Sequence, residues 1–214
     1  MDTQSVELID SMGTDLTVVN AARVSFEAES HFFKDQDRRL IAYLAEHNHW
    51  SPFAHCFLSF KIVAPIAVAR QLAKHQVGLA WNETSRRYVD SEPSFWQPEI
   101  WREKAINKKQ GSLSTGVANQ EEWSSRYERI CALACGLYED MISSRICPEQ
   151  ARLILPQSAM TSWIWSGSLY AFSRVYALRI TPDAQKETRD AAREIGVYAK
   201  ELFPYSWEAL TGER

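Results

Sequence analysis

Apolar positions along this chain follow two periods that alternate with turn signals. "SVELIDSMGTD" reads as a short strand ending in a turn at Gly13, and "LTVVNAARVSF" is an apolar run whose periodicity fits either strand or helix. Between Asp35 and His49, Leu40, Ile41, Leu44 and Ala45 share one helical stripe behind acidic residues suited to a first turn, which predicts a helix. "FAHCFLSFKIV" then alternates, with Cys56, Leu58, Phe60 and Ile62 on one face, so 53–63 is expected to be a half-buried strand. Pro65 ends it and is placed to open a helix, "IAVARQLAKHQ", which Gly78 should close. The polar cluster "NETSRRY" is expected to occupy the loop that follows.

Residues 92–101 form an aromatic, proline-punctuated connection, and 103–118, with "NKKQGSLSTG", is expected to be a mobile, lid-like loop. Asn119 can cap a long helix through about Ser143, and Pro148 starts a short one carrying Arg152. "LPQSAMTSWIW" reads as extended and "SGSLYAFSRVYALR" as helix. Thr181-Pro182-Asp183 offers a cap, a first-turn proline and an early acid for a helix to about Leu202. No internal repeat interrupts the pattern. The expectation is a single α+β domain over 1–214 in which helices predominate.

A formal charge of −3 and a pI near 6.0 argue against a general nucleic-acid or acidic-membrane binder, so any anionic ligand must be held by local basic groups. The opening "MDTQSVELID" lacks the charged and apolar regions of a secretory signal, and no run of about 18 apolar residues occurs. A soluble, cytoplasmic protein is expected. Cys56, Cys131, Cys135 and Cys147 form neither a CxxC pair nor the framework of a small secreted domain, which points to reduced, mostly buried thiols.

The densest chemistry lies in "KHQVGLAWNETSRRYVD", Lys74 to Asp90. A nucleophilic Ser85 would need a base and a strained elbow such as GxSxG, and "NETSRRY" is no such elbow. Neither GxGxxG nor GxxxxGK[ST] occurs. Backbone N–H groups around Ser85, with Lys74 and Arg87, can nevertheless clamp a phosphate, which suits a nucleoside monophosphate. The competing reading is a solvated, ion-paired loop. Arg152 precedes an apolar "LILP", and Arg174 and Arg179 interrupt the apolar "LYAFSRVYAL". An arginine there faces a ligand or pairs with an acid such as Glu83, Asp183 or Glu187. His49 and His55 flank "WSPF", and Trp81 is a candidate stacking surface.

"SPFAHCFLSFKIVAPIAVARQLAKHQ", "NETSRRY", "ARLILP", "SLYAFSRVYALR" and "AQKE", in this order, together resemble the flavin-dependent thymidylate synthases, and "VELIDSMGTDLTVVNAARVSF" resembles the start of that family. The family signature is an Arg-His-Arg triplet, seven or eight variable residues and a serine. Here Lys74-His75-Gln76 is followed by eight residues, "VGLAWNET", and Ser85, so both arginines of the triplet are replaced. The resemblance implies a central, mostly antiparallel sheet flanked by helices. It also implies reductive methylation of dUMP to dTMP, with 5,10-methylenetetrahydrofolate as carbon donor, reduced FAD as hydride source and NADPH as reductant of the flavin. A homotetramer with active sites shared between subunits follows from the same resemblance.

Carried over by position, Gln71, Lys74, Glu83, Ser85, Arg87, Arg152 and Arg179 match dUMP-binding positions. Ser51, His75, Gln76, Glu83, Ser168 and Arg174 match positions that touch FAD, and His49 matches a histidine near flavin and folate. Arg179 matches the arginine that activates the uracil ring. The resemblance gives Ser85 a binding rather than a nucleophilic role, and no cysteine is among the carried-over site residues. A hydroxymethylating variant and a non-catalytic nucleotide-binding homologue are the alternatives.

Overall fold

The computed structural model describes residues 2–106 and 111–213. Four strands, β1 (Ser5–Met12), β2 (Phe57–Pro65), β3 (Leu79–Glu83) and β6 (Met160–Ser168), form an antiparallel sheet in the order β1-β2-β6-β3. Around it in sequence lie α1 (Asp15–Arg23), α2 (Asp35–Glu46), α3 (Ile66–Leu72), α4 (Gln120–Ser143), α5 (Pro148–Ala151), α6 (Leu169–Arg179), α7 (Lys186–Leu202) and α8 (Pro204–Thr211). The expected α+β class and antiparallel sheet are present. Among the described residues no helix is long and apolar enough to cross a membrane.

The chain divides into two compact units, one of 1–5, 62–74 and 82–163, the other of 6–61, 75–81 and 164–214. In the second, Leu58 and Phe60 of β2 are buried, as is Cys56 just before it, and Phe60 meets Phe172 of α6 edge-to-face at 5.2 Å. Trp165 and Trp207 are fully buried beside Phe172 and Tyr176. In α2 the buried Asp37 closes the first turn by accepting from Lys34 N–H, and its other oxygen pairs with Arg23 at 2.6 Å. In the first unit, Phe95, Cys131 and Ala159 form a small core against which Ile66, Tyr127, Cys135 and Leu155 pack. All four thiols are free, with Cys56 and Cys131 buried, Cys135 half-buried and Cys147 exposed.

Several elements differ from the sequence pattern. The ambiguous "LTVVNAARVSF" is helical in α1 and continues into a 3-10 turn over Val24–Phe26. Residues Ser51–His55 are also a 3-10 turn, so the strand starts only at Phe57. The helix after Pro65 stops at Leu72, and Asn82 and Glu83 belong to β3 rather than to a loop. In the segment expected to be a loop over 103–118, Arg102–Lys104 (β4), which begins one residue before it, and Ser112–Gly116 (β5) pair antiparallel, whereas 107–110 lie outside the described residues. The helix expected after Thr181 begins at Lys186, because Ala184 N–H bonds Thr181 O in a separate turn first.

Candidate functional site

In the second unit the chemistry gathers where the turn after α3 meets α6. Gly78 adopts φ +76°, a conformation that favours glycine, and its carbonyl accepts the N–H of Ser168 at 3.3 Å. Gly167 permits that approach, since a Cβ there would stand 2.4 Å from the Gly78 oxygen. The turn is thereby held against the start of α6, and His75 just before it is half-buried. Ser168 caps α6, its buried Oγ accepting Ala171 N–H at 3.2 Å.

At the other end of α6, Arg179 Nε–H donates to His75 Nε2 at 2.8 Å. An acceptor at Nε2 requires the neutral ring with its proton on Nδ1. The surroundings favour that form: burial, then the charges of Arg179 and Arg174, hold the His75 pKa below the ordinary histidine value. Arg174 lies more than one turn earlier on α6 and is exposed. It lines a cavity of about 160 Å³ with His49, Trp50, Asn48, Tyr170 and Ser173, among others. Trp50 and Tyr170 stand 5.9 Å apart, tilted by 36°. An arginine and a histidine beside two aromatic rings make a set suited to a planar, partly anionic ring system. Ser51 and Gln76 are exposed nearby in sequence.

The first unit carries the other set. Thr84 leaves β3 bonded to Ser162 through both backbone and hydroxyl, and Thr161 Oγ1 donates to Glu83 Oε1 at 2.8 Å. A turn follows in which Tyr88 and Val89 N–H groups bond Ser85 O. Ser85 Oγ accepts Arg87 N–H at 3.3 Å, and the exposed Arg87 side chain donates to Tyr88 OH at 2.9 Å and stacks over that ring. Arg86 points elsewhere, bonding Ser91 O and lying over the buried Tyr138 ring. Of the adjacent arginines, Arg87 is thus the one presented to solvent. Gln71 is half-buried on α3, while Lys74 after it and Arg152 after α5 are exposed.

The sequence-derived assignments therefore distribute between two sets. His75, Arg174 and Arg179 are brought together, and His49 shares a cavity with Arg174. Trp50, Tyr170 and Thr161 were not singled out by sequence, although Trp50 lies between His49 and Ser51. His55 is exposed, and Trp81 packs edge-to-face on Trp165 at 5.5 Å rather than standing open.

Residues 7–205 match the family described as "Thymidylate synthase complementing protein". The chain is 35% identical over 210 residues to a flavin-dependent thymidylate synthase of Thermus thermophilus, covering 98% of this chain and 76% of that one. It is 31% identical over 211 residues to the enzyme of the same name from Thermosipho africanus, covering 98% and 92%. Among solved structures, the UMP/dUMP methylase PolB from Streptomyces cacaoi bound with 5-Br dUMP superposes with a TM-score of 0.89 at 28% identity, over 98% of this chain and 95% of that one. Sequence and fold together show that this chain belongs to the flavin-dependent thymidylate synthase family.

Proposed function

We propose that this chain converts dUMP to dTMP by reductive methylation at C5, taking the carbon from 5,10-methylenetetrahydrofolate and the hydride from FAD reduced by NADPH. The observation that carries the reading is the Arg179–His75 bond, which holds a guanidinium on α6 at its Nε. Uracil C5 is a poor nucleophile. A planar cation against the O2/N3 edge of the ring favours its electron-rich form, and a cation already fixed needs no reorganisation during the reaction.

Gln71, Lys74, Glu83, Ser85, Arg87, Arg152 and Arg179 are assigned to dUMP. The presented Arg87 fork suits a phosphate, and Lys74 and Arg152 add charge. His49, Ser51, His75, Gln76, Glu83, Ser168 and Arg174 are assigned to FAD and the folate beside it, so that Glu83 serves both ligands. The cavity lined by His49, Trp50, Tyr170 and Arg174 fits a flat ring carrying negative charge. Ser168, although it caps α6, still has a hydroxyl proton to donate. Reduced FAD, when bound, supplies the hydride that turns the transferred one-carbon unit into a methyl group. The working assembly is a homotetramer with sites completed by neighbouring subunits, acting in the cytoplasm without nucleic acid or membrane.

The test is a single turnover under anaerobic conditions. Flavin reduced by NADPH should reoxidise when dUMP and methylenetetrahydrofolate are both present and not with either alone. Reoxidation indifferent to dUMP, or no flavin binding at all, would overturn the proposal and favour a nucleotide-binding homologue. UMP offered in parallel shows whether the ribose 2′-hydroxyl is tolerated.

A further inference from the structure

The end of β3 is gripped by β6 through two side-chain contacts in succession. Thr161 Oγ1 donates to Glu83 Oε1 at 2.8 Å. One residue further along each segment, the Thr84 and Ser162 hydroxyls meet at 2.9 Å, and Thr84 N–H bonds Ser162 O at 2.8 Å. Successive residues of an extended chain point to opposite faces, so neither contact can stand in for the other. The contact at Thr84 holds backbone just before the turn that starts at Ser85. The contact at Glu83 holds a side chain assigned to ligands.

Glu83 is exposed, whereas Thr161 is half-buried within its strand. An exposed glutamate samples many rotamers and loses that freedom when it engages a ligand, at a cost to affinity. A hydrogen bond from a strand residue removes part of the freedom before the ligand arrives. Threonine suits this role because branching at Cβ restricts its own χ1, so the donor is fixed by the strand that carries it. The bond uses one of about four acceptor sites on the carboxylate and adds no charge, so Glu83 can still accept N–H or O–H donors from a ligand.

We propose that Thr161 is a positioning residue, whose hydroxyl aims the Glu83 carboxylate at the bound nucleotide and flavin; this rests on the reading above that Glu83 serves both ligands. Equilibrium titration of the full chain with dUMP and with FAD tests it without requiring turnover. Thr161→Val keeps the branched shape and strand preference but removes the donor. It should raise the dissociation constants for dUMP and for FAD by about tenfold each, and Thr161→Ala, which also lacks the donor, should match it. Thr161→Ser, which restores the hydroxyl, should bind both ligands within about threefold of wild type. In a Glu83→Ala background Thr161→Val should change neither constant further, because the contact it breaks is already gone. Wild-type binding by Thr161→Val and Thr161→Ala beside a crippled Glu83→Ala would overturn this inference alone. So would a Thr161→Ser as weak as Thr161→Val, or a valine effect undiminished without Glu83. Normal binding of both ligands by Glu83→Ala would instead withdraw the assignment of Glu83, and the inference with it.

Discussion

Arg179 and His75, 104 residues apart in sequence, are joined by a 2.8 Å hydrogen bond from Nε–H to Nε2. The guanidinium is therefore held at Nε by a neutral imidazole, and its positive charge is not cancelled by that contact. Lysine at 179 keeps the charge but lacks both the fork and the Nε–H. Arg179→Lys is expected to bind FAD and accept electrons from NADPH, yet to lose about 100- to 1,000-fold in dTMP formation. Pre-steady-state turnover measures this. Near-normal turnover would assign ring activation to another residue.

Arg87 should behave differently, because a phosphate contact is made equally in ground and transition states. Arg87→Ala should chiefly raise the dUMP concentration needed, with kcat little changed. A matching fall in kcat at saturating dUMP would contradict that role.

The His75–Arg179 bond predicts a pH dependence. The His75 pKa is lowered in the folded protein, first by burial and then by Arg179 and Arg174. For a base shifted this way, the contribution to stability is complete above the unfolded value of about 6.5 and is lost as pH falls toward the folded value. Wild type should therefore exceed His75→Gln in urea midpoint by more at about pH 8 than at about pH 5. Arg174→Gln, which removes one repelling charge, should raise the His75 pKa in an NMR titration. An unchanged titration would remove Arg174 from the electrostatics of this site.

Lys74 and Gln76 occupy the positions at which the family signature has arginines. Lysine lacks the fork and glutamine lacks the charge, so FAD should be held less tightly and with more salt sensitivity than with arginine at both positions. Restoring arginine at 74 and 76 should tighten FAD binding, read by titration at two ionic strengths. A double variant that binds no better at either would refute this.

A structural prediction concerns Asp15. Its buried carboxylate accepts Ser206 N–H at 2.8 Å and Tyr205 N–H at 3.1 Å, satisfying the first turn of α8 from the first turn of α1. Asp15→Ala leaves both donors without that acceptor and should cost about 1–3 kcal/mol in urea unfolding.

The same contact shows why part of the fold was hidden from local pattern. The alternation of Cys56, Leu58, Phe60 and Ile62 and the stripe through Ile41 and Leu44 carry their own periodicity, and a strand and a helix formed there, though the strand starts only at Phe57 and the helix ends at Glu46. Helix α8 follows α7 after a break at Phe203-Pro204, and its capping carboxylate lies 190 residues upstream, beyond any window of neighbouring residues. Strands β4 and β5 are polar and largely exposed, so their pairing leaves no hydrophobic alternation to detect. At the site, the separated motifs around His75, Ser85, Arg174 and Arg179 were legible as residues. Their geometry was not: which arginine of Arg86-Arg87 faces solvent depends on Tyr138 and Ser91, and the His75 partner depends on the turn of α6.

The mass of the pyrimidine product decides most directly whether this chain is a thymidylate synthase. Purified protein supplied anaerobically with dUMP, methylenetetrahydrofolate, FAD and NADPH should yield a nucleotide heavier than dUMP by one methylene unit, identical to dTMP by chromatography, with the added carbon label-traced to the folate. A product carrying a further oxygen would make the reaction a hydroxymethylation, and unaltered dUMP alongside normally bound, reducible flavin would contradict the assignment of methyl transfer altogether.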